Sequence, residues 1–147
     1  MGVEENLQTI ETEMRAFNAR DWDRYLDCFA DSVVTLEPDE VDPIRGRASL
    51  QKRVTAYLGA FPDVQLEKER LFGADDWVCL NSLFVATHKG NFTAPGGKVI
   101  SPTGRKVRVH GCSVFKLLNG KITEFIGYYD QLELLDQIGV KMQPVSD

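Results

Sequence analysis

Asp130 ends an alternating run, Ile122, Glu124, Ile126, Tyr128 and Asp130, that a β-strand places on one face. A carboxyl in apolar surroundings loses hydration, so its pKa climbs toward neutrality and it becomes suited to taking and returning a proton. Asp130 also precedes a short helical pattern, Leu132 to Ile138, and Asp is a favoured N-cap residue. Two roles are therefore open, proton transfer in a pocket or capping of a terminal helix. The direction of the carboxyl, toward an enclosed cavity or toward the helix, separates them. Glu124 offers either a second pocket carboxylate or an ion-pair partner for a basic residue, and the ion pair is the favoured reading.

The other reactive side chains form no recognisable set. His88 and His110 are the two histidines, and neither lies near a Cys-x-x-Cys pair, so no metal site is expected. Cys28, Cys79 and Cys112 are odd in number and widely spaced in apolar stretches, which predicts buried reduced thiols. The net charge of −5 argues against a nucleic-acid binder, and the basic cluster Arg105-Lys106-Val107-Arg108 is explained by strand alternation. The acidic N-terminus is unlike a signal peptide, and no apolar run approaches a membrane span. A cytoplasmic protein with no nucleic-acid or membrane partner is expected. A hydrophobic content of 43% with 27% charged residues, over 147 residues, suits one domain spanning 1–147 with its own core.

The elements that must position these groups follow from periodicity. Val3, Leu7, Ile10, Met14 and Phe17 recur at steps of four and three, one stripe of a helix. Asp21 caps a second helix whose Trp22, Tyr25, Leu26 and Phe29 share a face and belong to the core. Ser32–Glu37 reads as a strand, Pro38–Gly46 as a loop, and Leu50, Val54, Tyr57, Leu58 and Phe61 as the buried side of a third helix that stops before Pro62. The period then changes to two. Val64–Glu69, Trp77–Lys89, Arg105–Leu118 and Lys121–Asp130 are strands, and Gly139 closes the final helix. Helices first and an antiparallel sheet afterwards give an α+β class.

Asn119-Gly120 predicts a two-residue type I′ turn that pairs Leu118 with Lys121. Continued without interruption, that register sets Val109 opposite Asp130 and puts Ser113, Phe115, Ile126, Tyr128 and Asp130 on one largely apolar face. If the preceding hairpin is symmetric about Val99, Asn81 joins that face opposite Leu117. His88 and His110 then oppose each other on the other face, unless a bulge at Gly111 brings His110 round. The same register leaves Val78, Leu80, Phe84 and Ala86 as an apolar row on the convex side, which needs a cover and predicts a homodimer.

Thr87-His88-Lys89-Gly90, Ser101-Pro102-Thr103-Gly104-Arg105-Lys106-Val107, Asn119-Gly120-Lys121-Ile122-Thr123-Glu124 and the tail from Tyr129-Asp130-Gln131-Leu132 to Gly139 resemble the SnoaL-like polyketide cyclase family. The likeness spans roughly residues 15–140. It implies the cone-shaped α+β fold of nuclear transport factor 2, shared with ketosteroid isomerase and limonene epoxide hydrolase, in which helices pack on a curved antiparallel or mixed sheet around a pocket and the convex side often pairs in dimers. It also implies an intramolecular aldol ring closure without cofactor or metal. The family's Asp on the final strand matches Asp130, and His88 matches a His of its Thr-His-x-Gly segment. Where family members often carry Trp, this chain has Ile126, so the ligand is left unspecified.

Two functions are weighed on these grounds. In one, an enzyme cyclises or isomerises a hydrophobic carbonyl or polyketide-like compound, with Asp130 as acid/base. Tyr128, Ser113 and Asn81 would hold the enolate oxygen, while Phe115, Ile126 and His88 complete the lining. In the other, the same pocket binds a small hydrophobic ligand without catalysis.

Overall fold

The computed structural model describes residues 2–37, 41–141 and 144–145. Helix α1 (Val3–Ala19) opens with Glu4 and Glu5 in its first turn, where their charge meets the positive end of the helix dipole. It ends at Arg20, whose φ of 61° breaks the helix and whose guanidinium donates to the carbonyls of Phe17, Pro62 and Val64. Asp21 then accepts from the Arg24 amide and caps α2 (Trp22–Asp27). Phe17, Trp22 and Tyr25 meet edge-on or tilted at the junction, with ring centroids 5.6–5.9 Å apart.

Strand β1 (Phe29–Leu36) starts earlier than the sequence pattern indicates. Phe29 leaves the helix because it pairs with Ile122, and the Ile122 amide donates to the Cys28 carbonyl. A two-residue strand, β2 (Ile44–Arg45), lies inside the segment expected to be loop, while Pro38, Asp39 and Glu40 of that segment lie outside the described residues. Helix α3 (Arg47–Ala60) follows. The rest is sheet, comprising β3 (Gln65–Ala74), β4 (Trp77–Thr87), the short pair β5 (Phe92–Thr93) and β6 (Val99–Ile100), β7 (Lys106–Leu118) and β8 (Lys121–Tyr129), before α4 (Gln131–Gln137). The main sheet runs β2-β1-β8-β7-β4-β3, antiparallel except for the parallel β1–β8 pair. The fold is thus α+β with a mixed sheet.

Two registers differ from the sequence expectation. The β4–β7 ladder pairs Phe84 with Val109 and Leu83 with His110, so it is centred on the Gly96-Gly97 turn and not on Val99. Both glycines have φ near +90°, which supplies the reversal. Every β4 side chain consequently changes face. Val78, Leu80 and Ala86 are buried in the core, not displayed on the convex side, and Asn81 lies on the outer face paired with Cys112. The Asn119-Gly120 turn has both φ values positive and pairs Leu118 with Lys121 as expected. Beyond it the ladder slips. Leu117 pairs with Ile122 but Lys116 pairs with Glu124, leaving Thr123 as an extra residue. From there on, Phe125, Gly127 and Tyr129 turn inward, while Glu124, Ile126 and Tyr128 move to the outer side.

His88 is fully buried where β4 meets α3, against the Phe61 ring at 5.6 Å. Its Nδ1 accepts from the Thr103 amide and pairs with the Thr103 hydroxyl at 3.0 Å, which leaves the ring proton on Nε2. The neighbouring Lys89 and Gly90 amides both donate to the Ala60 carbonyl at the end of α3. A side chain at Gly90 has no room, since a Cβ there would lie 1.9 Å from the Gly59 carbonyl oxygen. Gly90→Ala is therefore expected to lower unfolding stability by about 3 kcal/mol, an overpacking cost. Urea titration of both proteins measures this, and an unchanged midpoint would contradict the contact.

Candidate functional site

Helices α1, α2, α3 and α4 close over the concave face of the sheet and leave a cavity of about 180 Å³. Its floor is Leu80, Ser82 and Phe84 of β4, Val109, Gly111, Ser113 and Phe115 of β7, and Phe125, Gly127 and Tyr129 of β8. Phe115 and Phe125 stack across the slipped ladder at 5.0 Å. The roof contains Phe17, Leu50, Val54, Phe61 and Leu134. Into this apolar shell project a few polar groups: Glu13, Tyr25, Glu37, Arg53 and Tyr57.

Glu13 is the unusual one. It lies on α1 one turn from both Ile10 and Phe17, and its residue exposure is only 6%. Among the described residues no hydrogen bond or ion pair compensates its carboxyl, and burial pushes its pKa up to about 8. Tyr25, 5% exposed, is held well above its ordinary pKa by burial, with the Glu13 charge adding to the effect. Its hydroxyl therefore stays a donor. Glu37 and Arg53 form a largely buried ion pair at 3.2 Å, and the Arg53 guanidinium also donates to the Tyr57 hydroxyl at 3.1 Å and lies over its ring. The Cys28 thiol is pushed up to about 11, by burial first and then by Glu13, and remains protonated.

The residues expected from the sequence are divided by the fold. Ser113 and Phe115 line the cavity; Tyr128 borders it, but the slipped register sets it on the outer face and it is 52% exposed. Asn81 and Ile126 sit on the outer face, for the register reasons above, and His88 is buried in the core and is not a lining residue. Asp130 is exposed; its carboxyl accepts from the Glu133 amide at 3.0 Å as the N-cap of α4, and it is not among the lining residues. Glu124 stands opposite Lys116 on the outer side and makes no ion pair among the described residues. His110 is also outside, 3.1 Å from Glu133. Of the cysteines, Cys28 is buried, while Cys79 and Cys112 are half-exposed neighbours on the outer face with Sγ atoms 3.5 Å apart.

Sequence reasoning missed Glu13 and the Glu37–Arg53 pair. A signal for Glu13 existed: it stands three residues after Ile10 and four before Phe17, and so adjoins the apolar stripe, as Asn6 does four residues before Ile10. No cluster of three or more His, Cys, Asp or Glu capable of holding a metal occurs among the described residues. None of their helices is long and apolar enough to cross a membrane.

The capping geometry has a measurable consequence. Asp130→Ala is expected to cost about 1 kcal/mol of stability and Asp130→Asn much less, because Asn caps equally well. Thermal unfolding of the two variants tests this, and equal large losses would argue for a different role of the carboxyl.

Solved structures with this architecture include AclR from Streptomyces galilaeus, described as a candidate hydroxylase, which is 25% identical over 97% of this chain and 89% of its own, with a TM-score of 0.82. A candidate SnoaL-like polyketide cyclase from Jannaschia sp. CCS1 superposes at 0.84 with 18% identity over 95% of both chains. IdmH from Streptomyces antibioticus, a candidate polyketide cyclase, superposes at 0.79 with 23% identity over 92% of this chain and 99% of its own. An NTF2-like protein of unknown function from Burkholderia pseudomallei shares the fold at 0.76. No curated relative matches the sequence. The family model for SnoaL-like polyketide cyclase matches residues 8–138, and the chain belongs to that family of small-molecule enzymes.

Proposed function

We propose that the cavity carries out acid/base chemistry on a hydrophobic carbonyl or polyketide-like compound, an aldol-type ring closure or isomerisation, with Glu13 as the proton carrier. The observation behind this is a buried, uncompensated carboxyl lining an apolar cavity with its pKa near the working pH. An ionised Glu13 takes a proton from the carbon next to the carbonyl, and the electron pair passes to oxygen as an enolate. Tyr25, with Ser82 and Ser113 on the floor, supplies hydroxyl donors for that oxygen. The enolate carbon then attacks a second carbonyl carbon of the same molecule and forms the ring bond. Glu13 returns its proton to the resulting alkoxide, so the cycle closes without an external reactant. Asp130 supports the roof of the site through α4, which contributes Leu134.

Glu13 also links activity to stability. Its pKa rises from 4.5 to about 8 on folding, so the fold binds this proton more tightly than the unfolded chain. The stability contribution is intact below pH 4.5 and is lost as pH rises through about 8. Glu13→Gln is expected to fold, to flatten that decline by a few kcal/mol, to retain ligand binding and to lose turnover at least about a hundredfold. The parent's kcat/KM should rise with pH and level off above about pH 8. Undiminished turnover in Glu13→Gln, or a flat profile, would sink the proposal. Ligand binding by the parent without turnover of any cyclisation substrate would favour the binding-protein reading.

We also propose a homodimer through the outer face of the sheet, in place of the row expected from the sequence. The support is an apolar row across four strands, Phe72, Cys79, Val114 and Ile126, flanked by Tyr128. Phe72 is 54% exposed and Tyr128 52% exposed in the single chain. Sedimentation at micromolar concentration should give a dimer and Ile126→Lys a monomer. A monomeric parent would refute the assignment.

A further inference from the structure

The cavity is small for its proposed task. About 180 Å³ is only slightly more than the ~150 Å³ of a cavity that accepts benzene, so it encloses little beyond one ring system. A larger ligand must continue elsewhere. Arg53 and Tyr57 form a shared wall between the cavity and an open cleft bounded by β2, α3 and the β5–β6 hairpin. The chemistry of that cleft is opposite to that of the cavity. It presents Arg45, Lys52 and Arg53, with Ser49, Asn91 and Thr93 as polar neighbours, and no acidic residue among the described residues lines it. Arg45 and Lys52 are both exposed, and neither makes an ion pair among the described residues. In a chain of net charge −5, Arg45 and Lys52 on a concave surface that no described acidic residue lines concentrate anions there, while Arg53, matched by Glu37, offers hydrogen-bond donors and no net charge.

We propose that this cleft binds the anionic end of the ligand, a carboxylate or phosphate, while the ligand's carbonyl-bearing body enters the cavity past Arg53 and Tyr57. The inference rests on the proposed function and names its substrate class: a hydrophobic carbonyl compound bearing an anionic group at one end. Glu37 and the Tyr57 hydroxyl fix the Arg53 guanidinium at the junction, where it faces both compartments.

Two fluorescent probes of similar body separate the compartments, anilinonaphthalene sulfonate, which is anionic, and phenylnaphthylamine, which is neutral. The parent is expected to bind the anionic probe about tenfold more tightly at low salt, and added salt should narrow the gap. The double variant Arg45→Glu/Lys52→Glu should lose that preference and keep the neutral probe's affinity. Equal affinities in the parent, or a preference retained in the double variant, would overturn the inference. Competition distinguishes the source of the anion. Displacement of the anionic probe by naphthoate alone assigns a carboxylate on the ligand body, displacement by coenzyme A assigns the phosphates of a thioester carrier, and displacement by neither overturns the assignment. Turnover by Glu13→Gln tests the catalytic reading separately, so the two proposals fail in different assays.

Discussion

The β4–β7 ladder is the spine of the molecule, because it carries most of the cavity floor and α1 and α4 pack against it. It runs unbroken from Trp77–Lys116 to Thr87–Lys106, and its continuity fixes which alternate residues look inward. The strands beside it are not continuous. β8 slips by one residue at Thr123, and β3 slips between Lys68 and Arg70. A bulge of this kind increases local twist and bends the strand, so paired slips on both sides of a straight spine curl the sheet toward its helices. Curvature and inward chemistry thus arise from the same two residues of mismatch.

That curvature makes a cavity, and the cavity makes Glu13 possible. A buried carboxyl without a partner is costly in its charged form, and the fold accommodates it mainly as the neutral acid. An apolar residue at this position would add to the stability of α1 against the sheet. The carboxyl therefore marks a place where stability has been given up next to an open volume, which is the pattern expected of a site adapted to proton transfer. The Glu37–Arg53 pair differs, since each charge is compensated by the other and the arrangement orients a guanidinium without leaving a charge unmatched.

Much of the framework was legible in the sequence because it depends on local chemistry. The α1 stripe, the Asp21 cap, the Asn119-Gly120 turn and the Gly139 stop all rest on residues within one turn of each other. The resemblance carried by the closing segments supplied the family. Registers were legible only as far as the nearest irregularity. The Gly96-Gly97 turn displaced the β4–β7 centre, and a single extra residue at Thr123 moved Ile126 and Asp130 away from the face that strict alternation gave them. A bulge costs little locally and has no strong residue signature, so it is decided by packing across strands. Glu13 was hidden for another reason. An acid on an amphipathic helix is ordinarily solvated, and only knowledge of what lies over its stripe shows that this one is not.

Asp130 illustrates how one residue type meets two demands under the same pattern. An Asp at the end of a final strand and ahead of a helix satisfies the cap requirement through its position alone, because the Glu133 amide needs an acceptor there. It satisfies the requirement for a proton carrier only if the strand's last side chain points inward. With Thr123 bulged, Tyr129 takes the inward position and Asp130 follows the turn into α4. The carboxyl that faces the cavity then comes from the opposite wall, on α1. The enclosed face retains one uncompensated acid, and the helix end retains its acceptor.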